Sequence, residues 1–162
     1  MDVFFEKLVV KKKTGEDTLV CIGACVGAFI AILAIMAFIR ILLIPAIAVI
    51  LFICYRIITG RNLEYEYSVT DGDLNVDKVI NKQRRKKVIN IPAKSIKIVA
   101  PRGDSRLPST EGRDIIDVTS RSEGADVYCV FFGDGKEKVL LFEPDRPQLE
   151  EMQRKNPRNV FI

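Results

Sequence analysis

From residue 18 to residue 58, a stretch of 41 residues, the chain carries only two charges, Arg40 and Arg56. Charges of both signs are dense on either side of this window. A bilayer core asks for about 20 apolar residues per helical crossing. As one straight helix the window would be about 61 Å long at 1.5 Å per residue, roughly twice the hydrocarbon thickness. It is therefore expected to fold in half, with helices over residues 18–39 and 42–58. Arg40 supplies polarity at the fold point, and Pro45 suits the first turn of a new helix. The second helix is the shorter, so two readings stay open: it crosses with little tilt, or it re-enters without crossing. A cleaved leader would show a shorter apolar run, with no second run following at once.

Basic residues collect at the cytoplasmic ends of membrane helices. Lys11, Lys12 and Lys13 precede the first helix, and Arg56 and Arg61 close the second. The expectation is a two-helix, multi-pass protein of the cell membrane with both termini cytoplasmic. Gly23, Gly27 and Ala31 recur at four-residue spacing, a small-residue face that lets two backbones approach closely. That face would pack on the second helix or on another copy in a homo-oligomer. Ahead of the membrane, Phe4, Phe5, Leu8 and Val9 recur at helical spacing. They make residues 1–17 a cytoplasmic amphipathic segment, with a short helix lying on the membrane face.

The hairpin occupies residues 18–60, and from residue 61 to 162 the period changes. Leu63, Tyr65, Tyr67 and Val69 alternate with Glu64, Glu66 and Ser68, the mark of a half-buried strand. Asp71-Gly72 signals a hairpin turn. Further strand runs fall at 74–79, 88–91, 95–99, 115–118, 127–132 and 139–142, with Gly133-Asp134-Gly135-Lys136 as another tight turn. Residues 102–113 hold Gly103, Pro108 and Gly112 and read as a long loop, within a mobile stretch over residues 101–124 that is open to a partner. Asp145 with Gln148 resembles a capping box, and Leu149 and Met152 share one side of a last helix. Strands without intervening helices exclude a βαβ architecture. The fold class is thus a membrane α-helical hairpin plus a mainly-β domain, an antiparallel barrel of about seven strands with a C-terminal capping helix.

This order of strands and capping helix is similar to the pleckstrin-homology-like (PH-like) fold. The chain resembles a family of small Gram-positive bacterial membrane proteins with a two-helix hairpin and a bacterial PH-like domain. The stretches that carry the resemblance are MDVFFEKLVVKKKTG, LEYEYSVTDGDLNVDKVI, the RRKK that follows, and the closing NPRNVFI. It spans the whole chain and implies a fold and a topology. It transfers no catalytic residue.

Histidine is absent, which removes the commonest general base and metal ligand. Cys21, Cys25, Cys54 and Cys129 lie in apolar or strand-like runs without zinc-ligand neighbours. Asp71, Asp73, Asn75 and Asp77 alternate like a calcium loop, but Val76 stands at the glycine position and Lys82 at the closing glutamate. Arg102-Gly103-Asp104 reads as a turn, and Glu150-Glu151 as the outer face of the last helix. No nucleophile sits in a recognisable motif and no phosphate loop follows a strand, so neither an enzyme nor a cofactor is expected. A net charge of +4 is too mild for a nucleic-acid binder.

The strongest candidate site is the basic run Lys82, Arg84, Arg85, Lys86 and Lys87, expected in or beside an early strand-to-strand loop. In lipid-binding members of the resembled superfamily, an early basic loop contacts anionic headgroups. The expected function is a non-enzymatic membrane-anchored interaction module that binds a protein partner or anionic lipid. The alternative is a structural accessory subunit of a larger membrane complex, packing through its helical hairpin.

Overall fold

The computed structural model describes residues 4–38, 43–133 and 137–162. Arg40 and the turn residues Asp134 to Lys136 lie outside them. The chain divides into two compact units. One is built on residues 13–63 together with the short segment 80–84; the other takes residues 1–12, 64–79 and 85–162.

The first unit is a pair of helices, α1 (Gly15–Phe38) and α2 (Leu43–Thr59), packed against each other. Pro45 lies in the first turn of α2, where its missing N–H costs nothing. Residues Gly15–Ala37 are long and apolar enough to cross a membrane; α2, with 17 residues, is shorter. The helix ends are pinned by one carboxylate. Asp17 accepts from the backbone N–H and hydroxyl of Thr14, which caps the start of α1. It also accepts from Arg61, just past α2, at 3.1 Å. The start of α1 and the end of α2 are therefore the same end of the pair.

The second unit contains two four-stranded sheets and a helix. The first sheet has the order β1 (Phe4–Val10), β2 (Leu63–Thr70), β3 (Asp73–Ile80), β4 (Arg84–Ile91). The second has the order β5 (Ile96–Pro101), β7 (Tyr128–Phe132), β8 (Lys138–Phe142), β6 (Asp114–Asp117). Helix α3 (Arg146–Lys155) follows, opened by the capping box of Asp145 and Gln148. The two sheets and α3 share one core that includes Tyr67, Leu74, Ile91, Phe142 and Met152. Tyr67 donates its hydroxyl to the Val118 carbonyl at 2.5 Å and meets the Phe142 ring edge-on. Gln148, buried on α3, donates to the Tyr67 carbonyl at 3.0 Å.

Three expectations are corrected. The seven strands read from residue 61 onward are all present, as β2 to β8, but they form two sheets rather than one closed barrel. Nor is the arrangement purely antiparallel, since β6 pairs with β8 in parallel register. Alternation reveals a strand, not its neighbour, and residues 118–127 carry the chain past β8 to β7.

The third correction concerns residues 4–10. They form β1, antiparallel to β2 with Phe4 opposite Thr70 and Val10 opposite Glu64, not an amphipathic helix. Phe5, Lys7 and Val9 are the less exposed residues, a period of two. A boundary at residue 61 therefore leaves out a strand of the β unit.

Candidate functional site

The turn between β3 and β4 is built on Asn81 and Lys82. Both have left-handed backbone, with φ of 51° and 55°, and Gln83 N–H closes the turn onto the Ile80 carbonyl at 3.2 Å. Hairpin turns of this kind favour Asn and Gly. Asn81 suits the conformation, whereas a lysine there carries roughly 1–2 kcal/mol of strain. The turn belongs to the helix-pair unit: Asn81 N–H donates to the carbonyl of Asn62, just past α2, at 2.8 Å. Lys82 and Arg84 thus share the pinned end of the pair with Lys13, Arg56 and Arg61. Glu16 and Asp17 are the acids there, and Asp17 is engaged by Arg61.

Only Lys82 of the basic run lies in the turn itself. Arg84, Arg85, Lys86 and Lys87 begin β4, which starts earlier than the apolar residues Val88, Ile89 and Ile91 suggest. Hydrophobic alternation could not reveal this, because all four side chains are exposed. Arg85 is also not free. It pairs at 2.9 Å with Oε1 of Glu66, a nearly buried side chain on β2. Oε2 of Glu66 has no hydrogen-bond partner among the described residues. Burial pushes the Glu66 carboxyl up, Glu6 beside it pushes the same way, and Arg85 works against both. Arg85 is therefore a brace for a buried acid. Lys82, Arg84, Lys86 and Lys87 make no ion pair among the described residues.

Other sequence candidates fall elsewhere. Gly27 and Ala31 line a groove between α1 and α2 with Ala24, Ala28, Ile50 and Cys54, and a Cβ placed on Gly23 or Gly27 would meet nothing within 4 Å. The less exposed residues of α1 include Cys21, Ala24, Ala28, Ala31 and Ile35, alternating three and four apart. Four-residue glycine spacing alone does not reveal that seam.

The acidic run serves the fold. Asp71 pairs with Lys155 at 2.7 Å, Asp73 accepts the Ala93 N–H at 2.8 Å, and Asn75 bonds to Asn90. Residues 102–113 fold back on the second sheet, with Leu107 packed on a cluster of Cys129, Phe131 and Val139. Within that stretch Asp104 accepts from both backbone and side chain of Arg106, which hold its carboxyl down to about 2. Glu151 is buried and paired with Arg154, so only Glu150 of that pair faces outward.

The closing NPRNVFI stretch acts as a strap. Asn156 donates to the Ala93 carbonyl, and Asn159 to the Ile96 carbonyl at 3.1 Å. Val160 is fully buried and bridges to Val99 of β5.

No curated protein and no solved structure matches the chain. A family described as a bacterial PH-like domain (DUF6106) matches it over residues 1–162. That match takes in the helical N-terminal region, both sheets and the closing helix, and the chain belongs to the bacterial PH-like domain family.

Proposed function

We propose that this protein is a non-enzymatic, membrane-anchored interaction module whose basic turn contacts anionic lipid headgroups at the inner leaflet. One observation carries the reading: Lys82 and Arg84 are tied to the same end of an apolar helix pair as Lys13, Arg56 and Arg61. Each cation close to an anionic leaflet contributes about 1 kcal/mol. The strained backbone of Lys82 supports it, since strain persists where a side chain is wanted for function. In this reading both helices cross. The chain leaves the β unit after β1 and returns at β2, and these strands are hydrogen-bonded neighbours. The hairpin therefore begins and ends on one side, which supports a reading in which both termini share the cytoplasmic side with the basic residues.

The test uses the full chain, because a fragment starting at residue 61 lacks β1. A fluorophore carried at position 83 in nanodiscs is challenged with a lipid-borne quencher. Quenching should rise with anionic lipid, fall with salt, and weaken in the variant Lys82→Gln/Arg84→Gln. Equal quenching in zwitterionic and anionic discs would sink the proposal.

The accessory-subunit reading is favoured by the open space at Gly23 and Gly27. It predicts that Gly23→Leu disturbs assembly with a larger complex and leaves headgroup contact unchanged.

A further inference from the structure

Two four-stranded sheets present four edges, and three of them are covered or short. The edge of β5 is taken by the C-terminal strap: Val99 N–H donates to the Asn159 carbonyl at 2.7 Å, and Phe161 N–H to the Val99 carbonyl at 2.8 Å. Strand β1 packs against α3, with Lys7 paired to Asp145 at 2.8 Å, and just beyond it Lys12 N–H donates to the Ser120 carbonyl at 2.8 Å. Strand β6 has only four residues. The remaining edge is β4, with eight residues and no outward backbone hydrogen bond among the described residues.

We propose that the outer edge of β4 is a docking edge for an extended acidic segment of a protein partner, which adds to the first sheet as a fifth strand. The backbone argument is that a bare edge offers unpaired N–H and C=O groups in a row, a template for another strand. Charge selects the occupant. Arg84 to Val88 are exposed along this half of the strand. Alternation puts Arg84 and Lys86 on one face and Arg85 and Lys87 on the other. A strand with acids on both faces would meet cations on both faces. A second copy of this chain would bring its own Arg84, Lys86 and Lys87 against the same run in every register where the two runs overlap, and like charges across a strand pair are destabilising. The inference goes beyond headgroup contact, because the turn at Lys82 and Arg84 carries that reading and the edge amides carry this one.

The test uses the full chain in zwitterionic nanodiscs, where headgroup attraction is absent and the two proposals fail separately. The probe is a fluorescent eight-residue peptide in which pairs of Asp alternate with pairs of Val, so that acids lie on both faces of the strand, followed by anisotropy. Lys86→Glu/Lys87→Glu should weaken binding roughly tenfold or more. Two further probes, N-methylated at one or the other alternate set of amides, are read on the unaltered protein. Strand addition requires one methylated probe to lose binding and the other to keep it, since only one set of amides faces the edge. Two methylated probes that bind equally well would show attraction by charge alone and overturn the proposal. Absence of binding by the unmodified acidic peptide would do the same.

Discussion

In the β unit the large side chains are inside: Tyr67, Phe131, Phe142, Leu74 and Met152 are all fully buried. The helix pair inverts this. Phe29 and Phe52 are each 63% exposed and Ile44 is 83% exposed, while Ala24, Gly27, Ala28 and Ala31 line the groove between the helices. The same apolar side chains are thus sorted by size in opposite directions. Water expels large apolar groups, so a domain in water hides them first. Lipid tails are as apolar as leucine, so helices in lipid gain by bringing backbones close through small residues and turning large ones outward. The inverted sorting is the physical reason that supports the proposed reading of α1 and α2 as a pair in lipid.

The largest effect that would sharpen the contrast is expected from Phe142→Ala. Removing this ring leaves a cavity beside Tyr67 and should cost about 3–5 kcal/mol. Hydrogen exchange on the full chain in nanodiscs should show lost protection through both sheets with the helices unchanged. Equal loss in α1 and α2 would mean that the two units do not fold as separate bodies.

A smaller effect is expected from Ala28→Leu, which would enlarge the wrong side of the helix pair. Overfilling the groove with Ile50 and Cys54 should cost about 1–3 kcal/mol. The separation between labels at the Asp17 and Arg61 end should widen while the sheets keep their protection. An unaltered separation would show that the small-residue seam does not set the spacing.

The finest test is a pH profile of the β unit. Glu66 has its folded carboxyl above the ordinary 4.5. Its stabilising contribution is complete below pH 4.5 and is lost as pH rises through the raised folded value. Asp104 works in the other direction, because its carboxyl is held down from 3.8 to about 2. Its contribution is present above pH 3.8 and is lost as pH falls towards 2. Glu66→Gln should flatten only the upper window and Asp104→Asn only the lower one, read by denaturation at each pH. A Glu66→Gln profile that parallels the unaltered protein would remove the buried acid from the account of Arg85.

Much of this was legible in order along the chain. The apolar window, the alternation from Leu63, the Asp71-Gly72 turn and the Asp145 cap are local signals, and each is found where it was read. Gly72 shows why such signals hold. Its φ is +84°, and a Cβ there would sit 2.7 Å from the Cβ of Lys155, so both backbone and neighbour demand glycine. The site was legible only in part. A run of cations shows in the letters, but that Arg85 braces Glu66, while Lys82 makes no ion pair among the described residues, depends on strands brought together across the sheet. Leu107 likewise reads as part of a polar loop until the second sheet supplies Cys129 and Phe131 beneath it.

The sequence by itself determined that two apolar helices and a β-rich unit share one chain, because hydrophobic period and length are properties of a segment alone. It also determined the turn and cap residues, whose backbone demands are local. Tertiary structure decided the rest, and FFEKLVV is the plainest case. Phe4, Phe5, Leu8 and Val9 satisfy a helix, while Phe5, Lys7 and Val9 satisfy a strand. A seven-residue segment holds both periods at once. The choice fell to β2, which lies more than fifty residues away along the chain and offers an unpaired edge for β1 to complete.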